Sequence, residues 1–90
     1  MKKLVLSFVD GEKAYASELW NSSTDDEIVF NTLKDIEENG NLTFANLEKI
    51  YKRFNEIAEV DSDFVLDSES KECVVVTWPD EAWTVKFYLE

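Results

Sequence analysis

Ninety residues with twenty Asp and Glu against nine Lys and Arg carry a formal charge of −11, and no histidine moderates it. A chain of this length makes one domain, residues 1–90, and its 44% hydrophobic content is ample for a core, which sets intrinsic disorder aside. Such a charge repels nucleic acid and anionic lipid, so the partner class it points to is a basic protein surface, with no direct nucleic-acid or membrane ligand.

In chain order, Leu4, Leu6 and Phe8 alternate with Val5, Ser7 and Val9, which predicts a strand, and Asp10-Gly11 supplies a two-residue hairpin turn. The return strand reads as Glu12 to Leu19, although Ala14, Ala16 and Glu18 are equally at home in a helix, so the region Glu12 to Trp20 stays open between the two. That hairpin puts Leu4, Leu6, Phe8 and Tyr15 on the core face and Lys3 opposite Glu18. The apolar run after Met1-Lys2-Lys3 is shorter than the ~7–15 apolar residues of a signal-peptide core, and no stretch reaches the ~20 of a membrane span. A cytoplasmic protein is expected.

Asn21 to Thr24 reads as a loop, with Ser23 or Thr24 capping a helix whose first turn holds Asp25, Asp26 and Glu27. Val29 or Phe30, Leu33 and Ile36 form its apolar stripe, and Gly40 ends it. Thr43 to Glu59 has the clearest helical period in the chain: Phe44, Leu47, Ile50, Tyr51, Phe54, Ile57 and Ala58 share one face. The short link between the helices forces an antiparallel or steeply crossed pair.

Beyond Glu59 the period changes to two. Asp61 to Glu69 reads as one extended strand, with Phe64 and Leu66 on one side and Asp61, Asp63, Asp67 and Glu69 on the other. A last hairpin runs from Glu72 to Trp78, turns at Pro79-Asp80 and returns over Ala82 to Leu89, with Val74, Val76, Trp78, Trp83, Val85, Phe87 and Leu89 facing the core. The order ββααβββ predicts an α+β domain: a mainly antiparallel sheet of about five strands with a helix pair packed on one face.

Catalytic chemistry has few carriers here. Without histidine there is no Ser-His or Cys-His pair, and with one Cys and two Gly there is neither a zinc set nor a phosphate-cradling loop. Cys73 stands in the apolar run Cys73-Val74-Val75-Val76, the setting of a buried thiol in a reducing compartment. Asp61, Asp63, Asp67, Glu69 and Glu72 fall at positions 1, 3, 7, 9 and 12 of a calcium-loop spacing, but Leu66 holds the position that needs glycine. The expectation is a non-enzymatic protein with no cofactor and no metal.

The acids are concentrated. Residues 24–43 carry six against Lys34, a charge of −5, and residues 55–72 carry seven against Lys71, a charge of −6. On an extended strand, alternate carboxylates lie roughly 6.6 Å apart at ~3.3 Å per residue, close to twice the ~3.4 Å rise between bases along one DNA strand. A row of this kind can engage lysines and arginines arranged for phosphates, which is the DNA-mimic reading of the spacing. The alternative, which the spacing taken alone favours, is that the row simply solvates an outer face and keeps a sheet edge from pairing. Trp78 and Trp83 flank an acidic turn, and they, with Trp20, are either core residues or an aromatic contact point, with core packing expected for at least two of the three.

In size and composition the chain resembles small phage-encoded anti-defence proteins, which inhibit CRISPR or restriction nucleases. The resemblance implies an inhibitor that blocks a basic nucleic-acid-binding cleft, and the charge distribution assigns the contact chiefly to Asp61, Asp63, Asp67 and Glu69, with Asp25, Asp26, Glu27, Asp35, Glu37 and Glu38 as a second set. The expected partner is a basic nuclease or effector complex, met by a monomer or homodimer. Two alternatives stay open: an immunity protein that neutralises a basic nuclease toxin, and a structural or adaptor domain that dimerises through a sheet edge.

Overall fold

In the computed structural model, which describes residues 1–21 and 25–90, the apolar alternation of Leu4–Phe8 forms β1 and Lys13–Tyr15 forms β2. Helices α1 (Ala16–Asn21), α2 (Glu27–Asn39) and α3 (Phe44–Ala58) follow, then β3 (Val65–Glu69), β4 (Cys73–Trp78) and β5 (Trp83–Leu89). The five strands make one sheet in the order β2-β1-β5-β4-β3, every neighbouring pair antiparallel. This is the α+β domain that the period changes predict, with one additional short helix.

The helices cover one face of the sheet. Leu4, Leu6, Val74, Val76, Trp78, Val85 and Phe87 meet Trp20 of α1, Val29, Leu33 and Ile36 of α2, and Leu47 and Ile50 of α3 in one buried cluster. Within it Tyr51 is the aromatic hub: its ring lies edge-on to Trp20, Phe64, Trp78 and Phe87 at centroid distances of 6.0, 5.5, 5.1 and 6.2 Å. Edge-to-face contact of this kind adds to area burial, which is why the most periodic helix of the sequence also organises the core. Its final apolar residues depart from expectation, since Ile57 and Ala58 are exposed in the last turn of α3.

The first hairpin differs from its expected form. Asp10-Gly11 does not make a two-residue turn; the loop is Val9-Asp10-Gly11, closed by Gly11 N–H on the Phe8 carbonyl (3.0 Å) and Phe8 N–H on the Glu12 carbonyl (2.9 Å). Gly11 takes φ 92° as the last loop residue, a conformation cheap only without a Cβ. The extra loop residue slips the register by one, so Tyr15 pairs with Val5 and leaves the core face for the opposite one. Lys3 exchanges backbone hydrogen bonds with Glu90 instead of facing Glu18, and the chain turns helical at Ala16 instead of continuing to Leu19 as strand. That early turn buries Ala16 and Trp20 over the sheet.

Ser23 and Thr24, expected as helix caps, lie outside the described residues; the cap of α2 is Asp26, whose Oδ1 accepts from the amides of Ile28 and Val29. Gly40 ends α2 at φ 73° as the sequence indicates, and Thr43 caps α3 through Asn46 N–H. The antiparallel pairing of the two helices follows from their contacts: Asp26 meets Arg53 and Asp35 meets Asn46.

Candidate functional site

Asp61 to Glu69 is not one strand. Residues 60–64 have no regular secondary structure, β3 starts at Val65, and its register with β4 shifts between Leu66 and Ser68. A β-bulge reverses the side-chain alternation beyond it. Glu69, opposite buried Val74, therefore lies on the helix side, where its Oε2 accepts from Phe44 N–H at 2.7 Å and satisfies the first turn of α3. Asp67 belongs to the other side, accepting from the Thr77 hydroxyl. The four carboxylates expected in one row are distributed over two faces.

Asp61 and Asp63 stay together. Between and beyond them the chain is anchored inward: the Ser62 carbonyl accepts from Asn55 Nδ2 at 2.7 Å, and the Phe64 ring packs on Phe44 and Tyr51 at 5.3 and 5.5 Å. Exposure alternates over residues 61–65 as in an extended segment, leaving both carboxylates outward, with no described contact to either.

At 3.6 residues per turn, Arg53 and Asn46 share one side of α3 while Asn55 lies on the other. Because the first two meet α2 and the third meets residue 62, α3 sits between α2 and the segment carrying Asp61 and Asp63. The α2 acids and the Asp61–Asp63 pair thus flank a central helix whose outer surface bears Lys49, Lys52 and Arg53 beside Glu48, Glu56 and Glu59. The two acidic segments of the sequence thus stay apart in the fold, with the cationic stripe of α3 between them. Acids partly offset that stripe, since Glu56 pairs with Arg53 at 2.7 Å and Glu48 with Lys52 at 3.7 Å, while Glu59, which is not among the expected partner-binding residues, adds an exposed carboxylate.

The α2 acids separate by role. Asp26 caps the helix and meets Arg53 Nε at 2.7 Å. Partial burial pushes its carboxyl up, but Arg53 and the amides of Val29 and Ile28 outweigh that and hold it below the ordinary value. Asp35 accepts from Asn39, Asn41 and Asn46 at 2.8, 2.9 and 3.1 Å, and these amides likewise hold its carboxyl down. Glu37 is 9% exposed, and its Oε2 accepts from Leu4 N–H at 2.8 Å, closing the start of β1. Asp25, Glu27 and Glu38 remain exposed.

The opposite face of the sheet has no described element over it and carries cations: Lys3 and Lys13 lie 4.9 and 5.8 Å from the rings of Tyr15 and Tyr88, and Lys86 stands between Ser7 and Val75. Trp20 and Trp78 are core, at 3% and 8% exposure, whereas Trp83 is 55% exposed. Among the described residues no group of three His, Cys, Asp or Glu is placed to hold a metal ion, and the calcium-loop spacing is consumed by β3 and its bulge. No helix among them is long and apolar enough to cross a membrane. No family model, curated protein or solved structure matches the chain.

Proposed function

We propose that this protein is a cytoplasmic, non-enzymatic inhibitor of the anti-defence type, which blocks a basic nucleic-acid-binding cleft by presenting carboxylates in place of phosphates. The observation that carries the reading is the Asp61–Asp63 pair: two outward carboxylates on a segment held from inside by Asn55, Phe44 and Tyr51, so little backbone ordering is left to the moment of binding. Asp25, Glu27 and Glu59 extend the acidic surface on either side of α3. Asp26, Asp35, Glu37, Asp67 and Glu69 act behind it by holding α2, α3, β1 and β3 in place.

The test is capture from a bacterial lysate on the immobilised protein, eluted by a salt gradient and separately by duplex DNA. A basic nucleic-acid-binding protein retained by the wild type, displaced by DNA and lost from a D61S/D63S variant is the expected result. Equal retention on both columns overturns the assignment of Asp61 and Asp63.

A further inference from the structure

At the end of the sheet where β1 finishes and β5 begins, the β1–β2 and β4–β5 hairpin tips stand side by side, because β1 and β5 are neighbours with Phe8 opposite Val85. Between them lies a cleft of about 400 Å³ lined by Phe8, Val9, Asp10, Glu12, Ala82 and Trp83. We propose that this cleft receives an arginine side chain presented by a partner protein. The proposal is independent of the helix-layer surface, since Asp25, Glu27, Asp61 and Asp63 are not part of the lining.

The walls are aromatic and aliphatic and stand open to solvent. Trp83 and Val9 are 55% and 78% exposed, and the Phe8 and Trp83 rings lie 6.0 Å apart at 56°. Trp83 pairs with Trp78 and so points to the core side of the sheet, yet its partner is buried while it is not. An exposed tryptophan beside a cleft is the residue type that most often anchors an interface.

The charge is one-sided. Asp10 and Glu12 belong to the lining, Asp80 and Glu81 directly precede Ala82 on the other tip, and the lining contains no base. Lys13, the nearest cation in sequence, is directed to the Tyr88 ring on the uncovered face of the sheet. Both tips are fixed by local hydrogen bonds: the Asp10 side-chain Oδ1 accepts from Glu12 N–H at 3.0 Å, and Ala82 adopts φ 53° with its N–H on the Pro79 carbonyl at 3.4 Å. A flat aromatic surface with carboxylates at its rim suits the guanidinium group, which stacks on a ring while its edge donates to carboxylates in the same plane. An ammonium is more strongly hydrated and lacks that planar edge.

The experiment follows the Trp83 indole N–H in ¹⁵N-labelled protein while acetyl-(Gly-Arg)₄-amide is added, with the (Gly-Lys)₄ peptide as the charge-matched control. The expected result is a saturable shift of Trp83, about fivefold or more tighter for the arginine peptide. Trp83→Ala, followed through the backbone amides of Gly11 and Ala82 because it removes the indole signal, and separately D10N/E12Q should each weaken arginine-peptide binding by about tenfold, while D61S/D63S leaves it unchanged. The side-chain amide oxygen that D10N introduces still accepts from the backbone N–H two residues on, so the double variant keeps the turn if Trp83→Ala disturbs it. Equal affinity for the two peptides, or retention of binding in D10N/E12Q, overturns the proposal and reduces the effect to general attraction by the −11 charge. Loss of binding in D61S/D63S transfers the arginine contact to the helix layer.

Discussion

Carboxylates of one residue type do opposite work in this protein, and position decides which. Glu37 closes the start of β1 from a buried site, so Glu37→Ala strands the Leu4 N–H and should lower stability by about 1–3 kcal/mol in urea unfolding. Asp61→Ser and Asp63→Ser remove solvated groups and should stay within about 0.5 kcal/mol of the wild type in the same measurement. Asp26 and Asp35 have folded-state values below their unfolded ones, so their stabilisation is complete above the unfolded carboxylate value and is lost as pH falls through the folded one. Thermal midpoints measured downward from about pH 5 should therefore fall, and D26N/D35N should flatten that fall. Nothing in the spacing of acids along the chain distinguishes Asp35 from Glu38; the difference is that Asn39, Asn41 and Asn46 converge on the first, which needs the helix pair already formed.

Among the elements, α1 shows how a short apolar segment earns its structure from packing. Six residues are too few for a stable isolated helix, and α1 exists because Trp20 finds Tyr51 and Phe54 at 6.0 Å. Trp20→Ala should cost about 3–5 kcal/mol, a large share of the ~5–15 kcal/mol available to a domain, and chemical denaturation should register it as a strongly lowered midpoint. The sheet edges are the other instructive elements. β2 is three residues long and β3 is interrupted by its bulge, so neither offers a long flat ladder to a second chain. The same bulge that blunts the edge distributes Asp67 and Glu69 to different faces, and period-two reading of the sequence has no means of registering an inserted residue.

At the scale of the whole molecule, charge and fold pull in different directions. A net −11 on a chain of radius of gyration 12.2 Å repels itself, so added salt should raise the thermal midpoint while it weakens capture of a basic partner. Thermal scans and the capture column at matched salt concentrations check the two opposite signs; a partner whose retention does not change with salt contradicts an electrostatic interface. The sequence by itself determined the α+β class, the amphipathic faces of α2 and α3, the Gly40 stop and the inward face of the β4–β5 hairpin, because each follows from local period and backbone preference. Tertiary structure alone decided the register of the first hairpin, the bulge in β3, the placing of Asp67 and Glu69 on different faces, and the meeting of two hairpin tips around Trp83. Each of these depends on one loop residue or on strands and helices brought together from distant parts of the chain, and a side-chain period carries information about neither.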